Sequence, residues 1–119
     1  MQTAKPVRLD KRERARLEAR SKVFKALGHP TRLFMVETLR QGERCVCELT
    51  EMVGADVSTV SRHLAALESA GVVWSEKRGV QVFYRLRMCC VAGFMECVDG
   101  SLAATAREQM EIATGGSRK

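Results

Sequence analysis

Between residues 46 and 87 the spacing of apolar residues changes once, and that change restricts the fold more than any other feature of the chain. Up to Gly71 the spacing is helical, with Val60, Leu64 and Leu67 at i, i+4 and i+7. Beyond it, "GVVWSEKRGVQVFYRLR" is dense in Val, Trp, Phe and Tyr around a polar "EKRG", which predicts a β-hairpin with Gly79 in its turn. Two helices precede the hairpin. One runs from about Cys45 to Val53 with Leu49 and Met52 inward and Gly54 as its C-cap. The next is capped by Ser58 and stopped by Gly71. Two helices joined by a short turn containing glycine form a helix-turn-helix.

Further helices flank this unit. Asp10 followed by Glu13 resembles a capping box opening a helix to about Leu27, with Leu17, Phe24 and Leu27 on one face. In "GHPTRLFMVETLRQG", Pro30 suits a first helical turn, Leu33, Val36 and Leu39 supply an apolar stripe, and Gly42 ends the helix. A last helix from about Met88 to Ile112 carries Val91, Phe94, Met95, Val98 and Leu102 on one stripe. The order helix, helix, helix-turn-helix, hairpin, helix is a mainly α winged helix with a β-hairpin wing. Stripes left over on the first and last helices predict a homodimer, whose two-fold axis would match pseudo-palindromic double-stranded DNA. The expected organisation is a flexible basic arm over 1–9, one DNA-binding domain with its dimerisation helices over 10–112, and a flexible tail over 113–119.

A length of 119 residues suits one modest core. No apolar run is long enough to span a membrane, and the N-terminus is charged from Lys5 with no apolar signal core, so a cytoplasmic protein is expected. No Ser/His/Asp set, paired-carboxylate cleft or phosphate-cradling glycine loop is present, so an enzyme is not expected. Residues 1 to 25 hold nine Lys/Arg against three acidic residues, which accounts for the whole net charge of +6. Such an arm is either a solvated helix face or a source of phosphate contacts.

Five cysteines cluster as Cys45/Cys47 and Cys89/Cys90/Cys97. In a reducing compartment such clusters point to metal binding or sensing more than to structural disulfides. If Cys45 and Cys47 both lie in a regular helix, their side chains diverge by roughly 200°. One ion could then join them only by unwinding or tilting the first turn. Metal trap, redox pair and buried filler all fit this spacing.

Three segments carry a resemblance: "FKALGHPTRLFMVETL", "CVCELTEMVGADVSTVSRHLAALESAGVV" and "RGVQVFYRL". Together they are similar to the arsenic-repressor (ArsR/SmtB-type) family of small dimeric winged-helix regulators. The resemblance implies a DNA-binding transcriptional repressor. The box Cys45-Val46-Cys47-Glu48-Leu49 resembles the thiolate site of its arsenite and antimonite sensors, so As(III) or Sb(III) is the implied inducer, bound through Cys45 and Cys47. The zinc site of Asp and His residues that some members carry on the last helix has no match, because His29 and His63 are the only histidines.

With Val60, Leu64 and Leu67 inward, Ser58, Ser61, Arg62 and Ala65 face outward and Thr59 lies near the edge. The N-terminal part of a recognition helix contacts base edges, and Arg62 can bind a guanine edge bidentately. Ser58, Thr59 and Ser61 can contact bases or phosphates, although Ser58 is expected to serve as the cap. His63, at the boundary of the stripe, is either a packing residue or a phosphate donor. Lys77 and Arg78 at the hairpin tip can reach a flanking groove or the backbone.

Soft thiolates suit soft ions, and a trivalent ion leaves a third sulfur to be found. Cys90 and Cys97, seven residues apart, share a helix face about 10.5 Å apart along the axis, too far for one ion, and Cys89 points elsewhere. One of Cys89, Cys90 and Cys97 could complete the first site, from the same subunit or the other; they could form a second site; or they could line a dimer seam. The competing functions are a sensor of another soft metal (Cd, Pb or Zn), a thiol redox sensor of the same fold, and a zinc-stabilised interaction module that binds no DNA.

Overall fold

The computed structural model describes residues 5–115. The outermost parts of the expected arm and tail, 1–4 and 116–119, lie outside the described residues. Two compact units divide at Arg87/Met88.

The first unit begins with α1 (Lys11–Leu27), where the Glu13 N–H donates to the Asp10 carboxylate at 2.9 Å. The Glu13 side chain pairs with Arg16 rather than closing a capping box. Next comes α2 (Pro30–Arg40), with Pro30 at its first position and the His29 ring as its cap, accepting from the Thr31 N–H at 3.1 Å. The helix-turn-helix is α3 (Val46–Val53) and α4 (Val57–Ser69). The turn between them opens at Gly54, whose φ of 75° is the left-handed conformation glycine adopts without strain. The wing is β2 (Val73–Arg78) and β3 (Gln81–Leu86), antiparallel from Val73↔Leu86 to Arg78↔Gln81. Gly79, at φ 64°, opens the two-residue turn.

A third strand, β1 (Arg44–Cys45), was not expected. It pairs antiparallel with β3 through Arg44↔Tyr84 and Cys45↔Phe83, giving the order β1-β3-β2. Two residues have no readable period, so only the partner strand reveals this one.

The core gathers Met35, Val36 and Leu39 of α2, Leu49 of α3, Val60, Leu64 and Leu67 of α4, and Val72, Val73 and Tyr84 around the wing. Two expected core residues fall outside it. Leu33 is 37% exposed, because α2 turns its Met35/Val36/Leu39 face inward, and Met52 is 44% exposed at the rim of α3. Adjacent apolar residues on a helix offer two overlapping stripes, and only tertiary packing selects one.

The second unit contains α5 (Cys90–Ala113), on which Phe94, Val98 and Leu102 are exposed. Among the described residues no helix is long and apolar enough to cross a membrane.

Candidate nucleic-acid interface and thiol site

Helix α4 presents two faces. Val60, Leu64 and Leu67 are fully buried, while Ser58, Ser61, Arg62 and Ala65 are exposed. The N-cap is Asp56, not Ser58. Ser58 is the second helical residue, and its hydroxyl donates to one oxygen of the Asp56 carboxylate while Thr59 donates to the other. These bonds hold the Asp56 carboxyl down at about 2. Asp56 holds the cap position without a side-chain bond to the backbone N–H groups of the first turn, so the cap lies two residues before the expected Ser58. Arg62 extends from the helix with no hydrogen-bond or ion-pair partner among the described residues.

His63 joins α4 to α2. Its Nδ1 accepts from Arg32 Nε at 3.0 Å, and its ring lies 4.5 Å from the His29 ring, tilted by 50°. Arg32 also donates to the Ala26 carbonyl at the end of α1. Burial pushes the His63 pKa down, and nearby His29, Arg32 and Arg62 push the same way. His63 is therefore a neutral acceptor at Nδ1, leaving only Nε2 to donate to anything outside the fold. This three-residue lock ties "GHPTR", which supplies His29 and Arg32, to "SRHL", which supplies His63.

At the wing tip the two cations differ. The Arg78 guanidinium forms a fork with Glu43, at 2.6 and 2.8 Å, bonds Glu76 through Nε at 2.8 Å, and covers the Phe83 ring at 4.6 Å. Donating to the Glu43 and Glu76 carboxylates raises its pKa further above its ordinary value. Lys77 is exposed, with no such partner among the described residues. Glu43 lies 35 residues from Arg78 in sequence, so no local signal announced the pair.

Cys45 is not a helical residue. It ends β1 with extended dihedrals (φ −78°, ψ 161°) and caps α3. The Glu48 N–H donates to Cys45 Sγ at 3.3 Å, and the Cys45 N–H donates to the Glu48 carboxylate at 3.1 Å, a capping box built on a cysteine sulfur. Cys47, the second helical residue, is exposed, whereas Cys45 is buried. The expected 200° divergence is therefore absent. The Cα atoms are 5.4 Å apart and the sulfurs are joined in a disulfide, so both can reach one atom without unwinding the helix.

Beside the pair lies an open cavity of about 320 Å³. Its walls include Cys45 and Cys47, Val57 and Ser61 of α4, and Val80 and Val82 of the wing. The thiols, the outward helix and the hairpin tip thus share one space. Among the described residues no three His, Cys, Asp or Glu side chains converge on a metal position, so the pair, once reduced, offers two soft donors.

A sequence profile described as "Bacterial regulatory protein, arsR family" matches residues 29–75. Over 70 residues the chain is 41% identical to the HTH-type transcriptional repressor SmtB of Mycobacterium tuberculosis, covering 59% of this chain and 52% of that protein. It is 45% identical over 65 residues to the arsenic resistance transcriptional regulator ArsR1 of Pseudomonas putida, covering 54% and 51%. These matches span about half the length of the two curated relatives. Among solved structures, the homodimeric winged helix-turn-helix DNA-binding domain of "a possible ArsR-family transcriptional regulator" from Mycobacterium bovis superimposes with a TM-score of 0.70. It is 31% identical, and the match covers 82% of this chain and 91% of that one. The chain belongs to the arsR family.

The segment matched by the arsR profile runs from the His29 cap through the thiol box and α4 to the first strand of the wing. It ends before Arg78 and before the second cysteine cluster. In this arsR-family chain Cys89, Cys90 and Cys97 are free and exposed, within the second unit.

Proposed function

We propose that this protein is a homodimeric transcriptional repressor that binds a pseudo-palindromic operator and releases it when Cys45 and Cys47 capture trivalent arsenic or antimony. Family membership supports the DNA partner and the dimer, and sets aside the non-DNA interaction module. In this reading Ser58, Thr59, Ser61 and Arg62 of α4 face the major groove. Lys77 reaches the flanking backbone, with Arg78 beside it once its carboxylate partners yield, and His63 contributes from its Nε2 side. A DNA partner also implies a cytoplasmic location.

The observation that carries the metalloid reading is the shared cavity: any group held by the two sulfurs lies against Val57 and Ser61 of the recognition helix and Val80 and Val82 of the wing. Capture by Cys45 also draws on the sulfur that receives the Glu48 N–H and so caps α3. An inducer favours release only by binding the DNA-free arrangement more tightly, and the same coupling lowers operator affinity in its presence. Cys89, Cys90 or Cys97, from either subunit, is the candidate third sulfur.

One observation favours a second reading, a thiol redox sensor: the Cys45–Cys47 disulfide itself. Operator release from the reduced protein tests both. As(III) and Sb(III) should release DNA at concentrations where Cd(II), Pb(II) and Zn(II) do not. Release by a divalent ion alone would make the protein a sensor of that metal. Release by oxidant alone, reversed by dithiol, would make it a redox sensor.

A further inference from the structure

Asp56 stands on the outward side of α4 with both carboxylate oxygens occupied, one by the Ser58 hydroxyl and the other by the Thr59 hydroxyl. A hydroxyl carries one proton and two lone pairs. Once the proton is committed to a carboxylate, only the acceptor side remains. We propose that Asp56 is a specificity-determining residue, fixing Ser58 and Thr59 as hydrogen-bond acceptors that read the exocyclic amino group of adenine or cytosine. This rests on α4 being the helix that enters the major groove.

The chemistry of the groove makes the choice definite. Adenine N6 and cytosine N4 are donors there; guanine N7 and O6, thymine O4 and every phosphate oxygen are acceptors. An oxygen that can only accept gains nothing from the second group. To serve a phosphate, the usual partner of such hydroxyls, Ser58 would have to withdraw its proton from an anion and leave that anion facing the backbone charge. Asp56 ionises at about 2, so it stays charged throughout the working range of pH. Ser58 is exposed and Thr59 half-buried, which makes Ser58 the direct reader and Thr59 the brace. The same carboxylate opposes sequence-independent binding through its charge.

The test is selection of bound duplexes from a randomised pool by the full-length protein, wild type against Asp56→Ala, Asp56→Asn, Ser58→Ala and Arg62→Ala. The wild type should show, in each half-site, a position restricted to A or C on one strand. In Asp56→Ala and Ser58→Ala that preference should flatten by about two- to tenfold, the value of one net hydrogen bond. Asp56→Asn removes the charge but keeps one acceptor oxygen. It should therefore bind random DNA more tightly while retaining part of the preference, which separates hydroxyl polarity from charge. Should Asp56→Ala fold poorly, Ser58→Ala, whose cap is intact, carries the test. An unaltered profile in Asp56→Ala and Ser58→Ala, with Arg62→Ala shifted, overturns the proposal alone. An unaltered profile in all the variants overturns the reading of α4 as well.

Discussion

Replacing Arg62 by alanine separates reading from folding. The side chain is exposed and held by no other residue among those described. The substitution should therefore change stability by less than about 0.5 kcal/mol, as surface changes away from special features do. A bidentate arginine–guanine contact is worth about 1–3 kcal/mol. A two-fold dimer makes the contact twice, so the expected loss is about 2–6 kcal/mol, or at least about 30-fold in operator affinity. Fluorescence anisotropy with labelled operator and random duplex at one salt concentration measures both terms, and thermal melting supplies the folding control. A loss confined to the operator, with unchanged melting, is the expected result. Affinity within twofold of wild type would refute base reading by Arg62. An equal loss on both duplexes would reduce the residue to a phosphate contact.

Other perturbations probe the supporting structure. Because the His63 pKa is lowered in the fold, the unfolded chain takes up the proton first on acidification. Stability should accordingly be flat above neutrality and fall as pH drops through the ordinary histidine value near 6.5; melting temperatures between pH 7.5 and 5.5 should show a shallower fall in His63→Gln, and an identical slope would contradict the assignment. The double variant Glu43→Gln/Glu76→Gln removes both carboxylates from Arg78 and frees a cation at the wing tip, so the salt dependence of DNA binding should steepen by about 0.9 per wing; an unchanged slope would leave Arg78 away from the DNA. Leu64→Ala empties a fully buried position of α4 and should cost about 2–5 kcal/mol in urea unfolding, with a cost under about 1 kcal/mol contradicting the packing described.

Strongly periodic segments were readable in the sequence. Val60, Leu64 and Leu67 face the core as their spacing predicts, the hairpin turns at Gly79, and Gly54 closes α3. The sequence was silent where one residue's surroundings depend on a distant partner. Arg78 looks like a free cation until Glu43, 35 positions earlier, is brought beside it. His63 looks like either a packing or a binding residue until Arg32 donates to it from α2. The thiol pair changed most. Read as two helical residues, Cys45 and Cys47 diverge, and shared binding demands strain. Paired with Phe83 through β1, Cys45 leaves the helix and caps it, so the sulfurs converge at rest. The proposed switch then works through the cavity shared with α4 and the wing rather than through an unwound turn.

Operator release by As(III) under reducing conditions, measured on single Cys→Ser variants, tests the central claim most directly. Serine is itself a good N-cap, so Cys45→Ser keeps the start of α3 while removing a soft donor. Cys45→Ser and Cys47→Ser should bind operator as wild type does and fail to release it, whereas at least two of Cys89→Ser, Cys90→Ser and Cys97→Ser should still respond. Wild-type release from Cys45→Ser and Cys47→Ser would contradict the account and move the sensing site off the helix-turn-helix.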